Sequence, residues 1–233
     1  MGDIIYNLCF LFLLFFIYSV IGYLIEVSFV SLDTKEINFN RGFLFGPYIP
    51  IFGFGAVLMC SMFTQFSDHI FILFSSCMVT CCGLEYFTSL IMESIFHVRW
   101  WDYSDKKYNI DGRICLEFGM TFGLGGVVLV KYINPFIVGF LKSFSYYFVI
   151  NLSVLLFIIM MLDFCLSVYL VLRLKLDTQF YKMKDATKYV KNEIRKSLEK
   201  RYNLNIHFFK AFPNLLKDNK FFPKELIARY LKK

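Results

Sequence analysis

Long runs of apolar side chains, punctuated by short polar clusters, fill the first 172 residues of the chain and give out after them. A bilayer core takes about 20 consecutive apolar residues of helix. Runs that reach or approach that length cover 4–30, 42–66, 70–96, 114–133 and 147–172. The pattern predicts an all-α fold, a polytopic membrane helix bundle of about five transmembrane helices, over 1–172. Residues 173–233 change character. Phe180, Met183, Val190, Ile194, Leu198 and Tyr202 recur at helical spacing with Lys and Arg between them. This predicts an amphipathic helix at the head of a basic cytoplasmic helical tail. Pro223 opens a further short helix there.

The second run is irregular. Pro47 and Pro50 remove backbone donors, and Gly42, Gly46, Gly53 and Gly55 loosen the chain. One reading is a broken segment at membrane depth, which requires protein or a wet cavity to satisfy the freed backbone groups. The other is an interfacial loop ahead of an ordinary helix from Ile51, and the pattern alone leaves open whether 42–66 spans. In the fourth run, Gly119 and Gly123 form a G-x-x-x-G pair suited to close helix contact. Asn134-Pro135 is expected to end that run.

Composition supports the membrane assignment. The 233 residues are 58% hydrophobic and 20% aromatic, with 30 Phe, whereas soluble domains are roughly 45–50% apolar. The first run is too long for the hydrophobic core of a signal peptide, about 7–15 residues, and reads as a retained anchor. The formal net charge of +7 is uneven. Residues 173–233 carry 17 basic and 6 acidic side chains, and residues 1–172 carry 8 and 12. The basic excess is therefore a property of the tail, and no nucleic-acid partner is expected. The tail's expected partners are anionic lipid or another protein, or it folds back on its own chain. Lys and Arg in 31–41, in 97–113 and in the tail place these on one side, with the tail cytoplasmic and the N-terminus outside. The seven cysteines have no paired C-x-x-C arrangement and read as reduced, buried apolar residues; no metal set or cofactor is implied.

Ionisable groups inside apolar runs carry the chemistry. An ionised side chain at the bilayer centre costs about 2.5–3.5 kcal/mol even on lenient scales. Glu26, Glu93 and Glu117 fall within about a turn of their run's cytoplasmic end. Arg41, Arg99, Trp101, Asp102 and Arg113 lie at the same level, and Glu85 and Asp163 are deeper. Glu85 and Glu93 are about 12 Å apart along a helix and about 80° around it, so both can face one groove. The outer half of every span is expected to be free of charged side chains. These ten residues form a candidate polar site, a vestibule in the cytoplasmic half of the bundle, with no catalytic residue assigned. Read singly, the charges near helix ends can also snorkel to water. Trp100, Trp101 and Tyr103 suit the headgroup level.

The stretches NRGFLFGPY at 40–48 and RWWDYS at 99–104 carry a family likeness, supported by Gly22–Glu26, PIFG at 50–53, Glu85, Glu93 and GRICL at 112–116. In these the chain resembles the bacterial integral membrane proteins of the CmpB-type ABC-transporter permease family, over about residues 10–135. Tyr23 stands where the family pattern has Trp, and Glu117-Phe118-Gly119 departs from its Phe-Ser. The resemblance implies a multi-pass protein of the bacterial cytoplasmic membrane that acts in transport. The chain has no G-x-x-x-x-G-K-[ST] phosphate loop, so ATP hydrolysis is expected from a separate ATPase subunit. Two other functions fit the residues. One is a membrane-embedded enzyme acting on a lipid or isoprenoid headgroup, with Glu93, Asp102 and Glu117 as acid and base and Arg41, Arg99 and Arg113 on phosphate. The other is a non-catalytic scaffold that recruits partners through the tail.

Overall fold

A computed structural model describes residues 2–35, 39, 41–96 and 99–173. The tail beyond 173, with its expected helices, lies outside the described residues. Six α-helices and a two-stranded hairpin make up the rest. Helix α1 (Gly2–Thr34) is followed by an irregular stretch at 41–49, α2 (Pro50–Phe63) and α3 (Ile70–Phe96). A loop then carries β1 (Asn109–Ile110) and β2 (Ile114–Cys115), and leads into α4 (Leu116–Val128), α5 (Asn134–Lys142) and α6 (Tyr146–Arg173).

Among the described residues, four helical stretches are long and apolar enough to cross a membrane: Gly2–Leu32, Ile70–Phe96, Leu116–Lys142 and Tyr146–Tyr169. The second predicted run is resolved into two parts. Residues 41–49 are not helical, and a shorter apolar helix, Pro50–Phe66 including its terminal 3₁₀ turn, follows. Pro50 sits at the first helical position, where its missing N–H is no loss. The stretch 41–49 is anchored to the middle of α1. The Ile49 amide donates to the Ser19 carbonyl in the middle of α1 at 2.9 Å. The segment is thus broken, and other parts of the protein satisfy its backbone.

Asn134-Pro135 does not end the fourth span. Pro135 offers no N–H to the preceding turn, and the helix absorbs this as one π-helical turn, Leu129–Ile133, before continuing as α5. The span therefore runs to Lys142, and Lys131 falls inside it, against the expectation that the outer half of every span is free of charge. The Tyr18 hydroxyl donates to Asn134 Oδ1 at 2.7 Å and ties this bend to α1.

Helix pairing follows from small residues. Helices α1 and α6 run parallel: Tyr146 reaches the Gly2 carbonyl, Ser153 reaches that of Cys9, and Phe12 packs edge-on against Phe157. Helix α2 runs antiparallel to α1, with Gly53 against Ser19 and the Phe15 carbonyl. Helix α4 lies on α3, with Gly119 against Cys82 and Met78 and Gly123 against the Phe74 ring. A side chain at any of these glycines would push the helices apart. Between the helices, Leu13, Leu14, Tyr18, Ala56, Ile137, Leu141 and Val149 form the main core. The other faces are apolar and exposed, including Phe71, Val79, Leu124 and Phe136, as befits side chains that meet lipid. The C-terminal ends of α1, α3 and α6 and the N-terminal end of α4 share one end of the bundle, which we call the charged end.

Candidate functional site

The charged end is organised by the loop from Arg99 to Arg113, which does not stay at the surface. Asp111 and Gly112 both take positive φ, 54° and 67°. With the Arg113 amide donating to the Ile110 carbonyl, they close a tight turn of the kind Asp-Gly favours. The hairpin this creates sends Arg113 back toward α3. Its guanidinium donates to Ser89 Oγ at 2.9 Å and pairs with Glu93. Arg99, from the other end of the loop, reaches the same Glu93 oxygen at 3.2 Å and the Asp111 carbonyl at 3.0 Å. Two guanidinium groups thus converge on one carboxylate oxygen, a charge-assisted arrangement stronger than a neutral hydrogen bond. Trp101 Nε1 donates to the Arg113 carbonyl at 3.0 Å and fixes the loop's return.

Between these ends Tyr103 dips two helical turns deeper. Its hydroxyl donates to Glu85 Oε1 at 3.0 Å, and its ring stacks on Phe118. Burial, followed by the neighbouring Glu85 carboxyl, pushes the Tyr103 phenol far above its usual range, with a further contribution from Glu26. The phenol is therefore a hydrogen-bond donor at any physiological pH. Glu85 itself is 8% exposed, and its second oxygen, Oε2, has no hydrogen-bond partner.

On α1, Glu26 accepts from Arg41 Nη2 at 2.6 Å. Arg41 is mostly buried, with 13% of its side chain exposed. The Glu26 charge also acts on the Tyr103 phenol. The structure thus brings Glu26, Arg41, Glu85, Glu93, Arg99, Trp101 and Arg113 to one region, drawn from α1, the broken segment, α3 and the loop.

Two of the ten candidate residues, Glu117 and Asp163, stand elsewhere, while Asp102 lies beside Arg99 at Gly112. Asp102 accepts from the Ser104 amide at 3.0 Å and from the Ser104 hydroxyl, shaping the loop. Glu117 is exposed at the rim, paired with Lys106 at 2.8 Å. Asp163 takes the amides of Phe45 and Gly46 and the hydroxyls of Tyr48 and Ser167, and none of these bonds leads to Glu85. This depth does not signal a shared pocket; the carboxylate compensates the broken backbone of 41–49.

Trp100 also departs from expectation. It is 6% exposed and packed edge-on against Phe43 and Phe96, rather than lying in a headgroup belt. Helix periodicity could have found Ser89, which lies four residues from both Glu85 and Glu93 and so on their face. Tyr103 offered no such signal, because its depth depends on how the loop folds.

Apolar spans, a broken second segment and a ring of paired charges at one end define a polytopic α-helical membrane protein. A family model described as "Putative ABC-transporter type IV" matches residues 13–168, and the chain belongs to that family. No curated protein and no solved structure matches the chain. Family and helices together point to a membrane transport component that sits in a lipid bilayer.

Proposed function

We propose that the protein is a permease-like transport component of a bacterial cytoplasmic membrane, with the charged end facing the cytoplasm and its paired groups forming the substrate or coupling site. The observation that carries this reading is the convergence of Arg99 and Arg113 on Glu93, beside Glu26–Arg41 and above the buried Glu85. Half-buried guanidinium and carboxylate groups held by one another can exchange partners with a polar solute. The broken second segment adds non-helical backbone at depth, a feature of transporter binding sites. Orientation follows from Lys35, Arg41, Arg99, Lys106, Lys107 and Arg113 at that end. A separate ATPase subunit would drive the cycle, since this chain has no phosphate loop.

The test is accumulation, in cells with and without the intact protein, of a panel of small anions, amines and lipids, repeated with Glu85→Gln and Arg113→Gln. A solute whose accumulation depends on the protein and falls at least tenfold with either variant supports the reading. Unchanged accumulation of every solute, with the variants inserted normally, overturns it. The enzyme reading is weaker. Of its three acids, Glu117 faces outward on Lys106 and Asp102 is turned into its own loop. The scaffold reading rests on the tail, which lies outside the described residues.

A further inference from the structure

We infer that Glu85 is a proton-binding site, carrying an exchangeable proton on Oε2. This deepens the reading of the charged end as a transport site by naming a ligand for its deepest acid. Glu85 lies eleven residues before the end of α3, about 16 Å into the bundle. Its side chain is nine-tenths buried, and Oε2 is sealed from solvent without a partner. The neighbours that face it argue for a proton over any other cation. From the loop, Tyr103 gives one hydroxyl to Oε1. Cys81 and Cys82 lie four and three residues before Glu85 on α3, and so on the neighbouring turn. Glu26 on α1 has its own charge taken up by Arg41. On α3 Ser89 is engaged by Arg113, whose charge is directed at Glu93.

No guanidinium or ammonium contacts Glu85 among the described residues, so its negative charge has no direct counter-ion. A divalent ion is held by about six oxygen ligands, whereas the one hydrogen-bond partner of the Glu85 carboxyl among the described residues is the Tyr103 phenol. A proton needs only Oε2. It arrives from water at the charged end and returns there, converting carboxylate to carboxylic acid without any other group changing. Tyr103 donates to Oε1 in both states, so loop and helix stay joined while the charge changes.

The experiment uses the full chain in detergent and the carbodiimide DCCD, an apolar reagent that adds to protonated carboxyl groups, with peptide mass spectrometry to locate the adduct. Labelling of Glu85 at least tenfold above that of ion-paired Glu93, fading as the medium is made alkaline, is the expected result. Tyr103→Phe, which removes a donor that favours the carboxylate, should raise the labelling at alkaline pH several-fold. Infrared difference spectra provide a check that does not depend on reagent access. A carboxylic-acid C=O band that moves in heavy water and vanishes in Glu85→Gln is expected. Absence of both adduct and band overturns the assignment, as does labelling abolished by sodium and indifferent to pH. Labelling is read without transport, so a labelled Glu85 whose Gln variant still transports would refute the transport role and leave the proton site standing.

Discussion

Asp163 Oδ2 accepts the backbone amide of Gly46 at 2.8 Å, across 117 residues of sequence. The same oxygen takes the Tyr48 hydroxyl at 2.7 Å, while Oδ1 takes the Phe45 amide at 3.0 Å. A carboxylate in one apolar helix thus replaces the hydrogen bonds that the 41–49 stretch loses by not being helical. That substitution lets an irregular segment lie among membrane spans.

Asp163→Ala should therefore destabilise the protein by roughly 2–4 kcal/mol, since buried donors left unsatisfied cost about 1–3 kcal/mol each. Asp163→Asn, which keeps one acceptor oxygen, should lose about half as much. Unfolding in mixed detergent, followed by circular dichroism, measures both. Equal stability of the Ala variant and the parent would show that the clamp is replaced by water.

The two arginines on Glu93 should prove unequal. Arg113 has 12% of its side chain exposed and binds Ser89 as well, so Arg113→Ala should cost about 1–3 kcal/mol. Arg99 is 34% exposed, and screening by solvent should hold Arg99→Ala below about 1 kcal/mol. A double-mutant cycle with Glu93→Gln checks the coupling: it should be larger for Arg113.

The rim pair gives a contrasting expectation. Lys106 and Glu117 expose 44% and 62% of their side chains. Charge reversal of either one should change stability by less than about 1 kcal/mol, and added salt should shrink the difference. A melting curve at low and high salt measures it.

Glycine contacts separate helix packing from helix propensity. At Gly53 a Cβ would collide with the Phe15 carbonyl and Ser19 Oγ, and at Gly126 it would meet Cys77 Cβ and Met59 Sδ. Backbone and buried side chains cannot easily yield there, so Gly53→Ala and Gly126→Ala should destabilise by about 1–3 kcal/mol. At Gly125 nothing lies within 4 Å, and Gly125→Ala should be neutral or stabilising by up to about 1 kcal/mol. Unfolding midpoints of the three variants, compared side by side, test the assignment of faces.

The sequence by itself determined that the chain is a membrane helix bundle, the course of its first, third and last spans, and which end holds the charge. Runs of apolar residues longer than any soluble core needs leave no other solvent for their surface, and the third span, Ile70–Phe96, could be read to the residue. It also marked the second segment as irregular, because Pro47 and Pro50 and their glycines are local facts. Only the tertiary structure decided what each charge does. Glu85 and Asp163 look alike in sequence, both acids deep in apolar helices. One holds a tyrosine from a folded-back loop, and the other holds the backbone of a segment more than a hundred residues away. The course of the fourth span through Asn134-Pro135 was decided there too, since a π-helical turn can absorb a proline within a helix, and here Leu129–Ile133 does so while Tyr18 of α1 holds Asn134. Helical periodicity fixes which face a residue is on, whereas the partner on that face depends on how loops return, and loop paths are set by contacts distant in sequence.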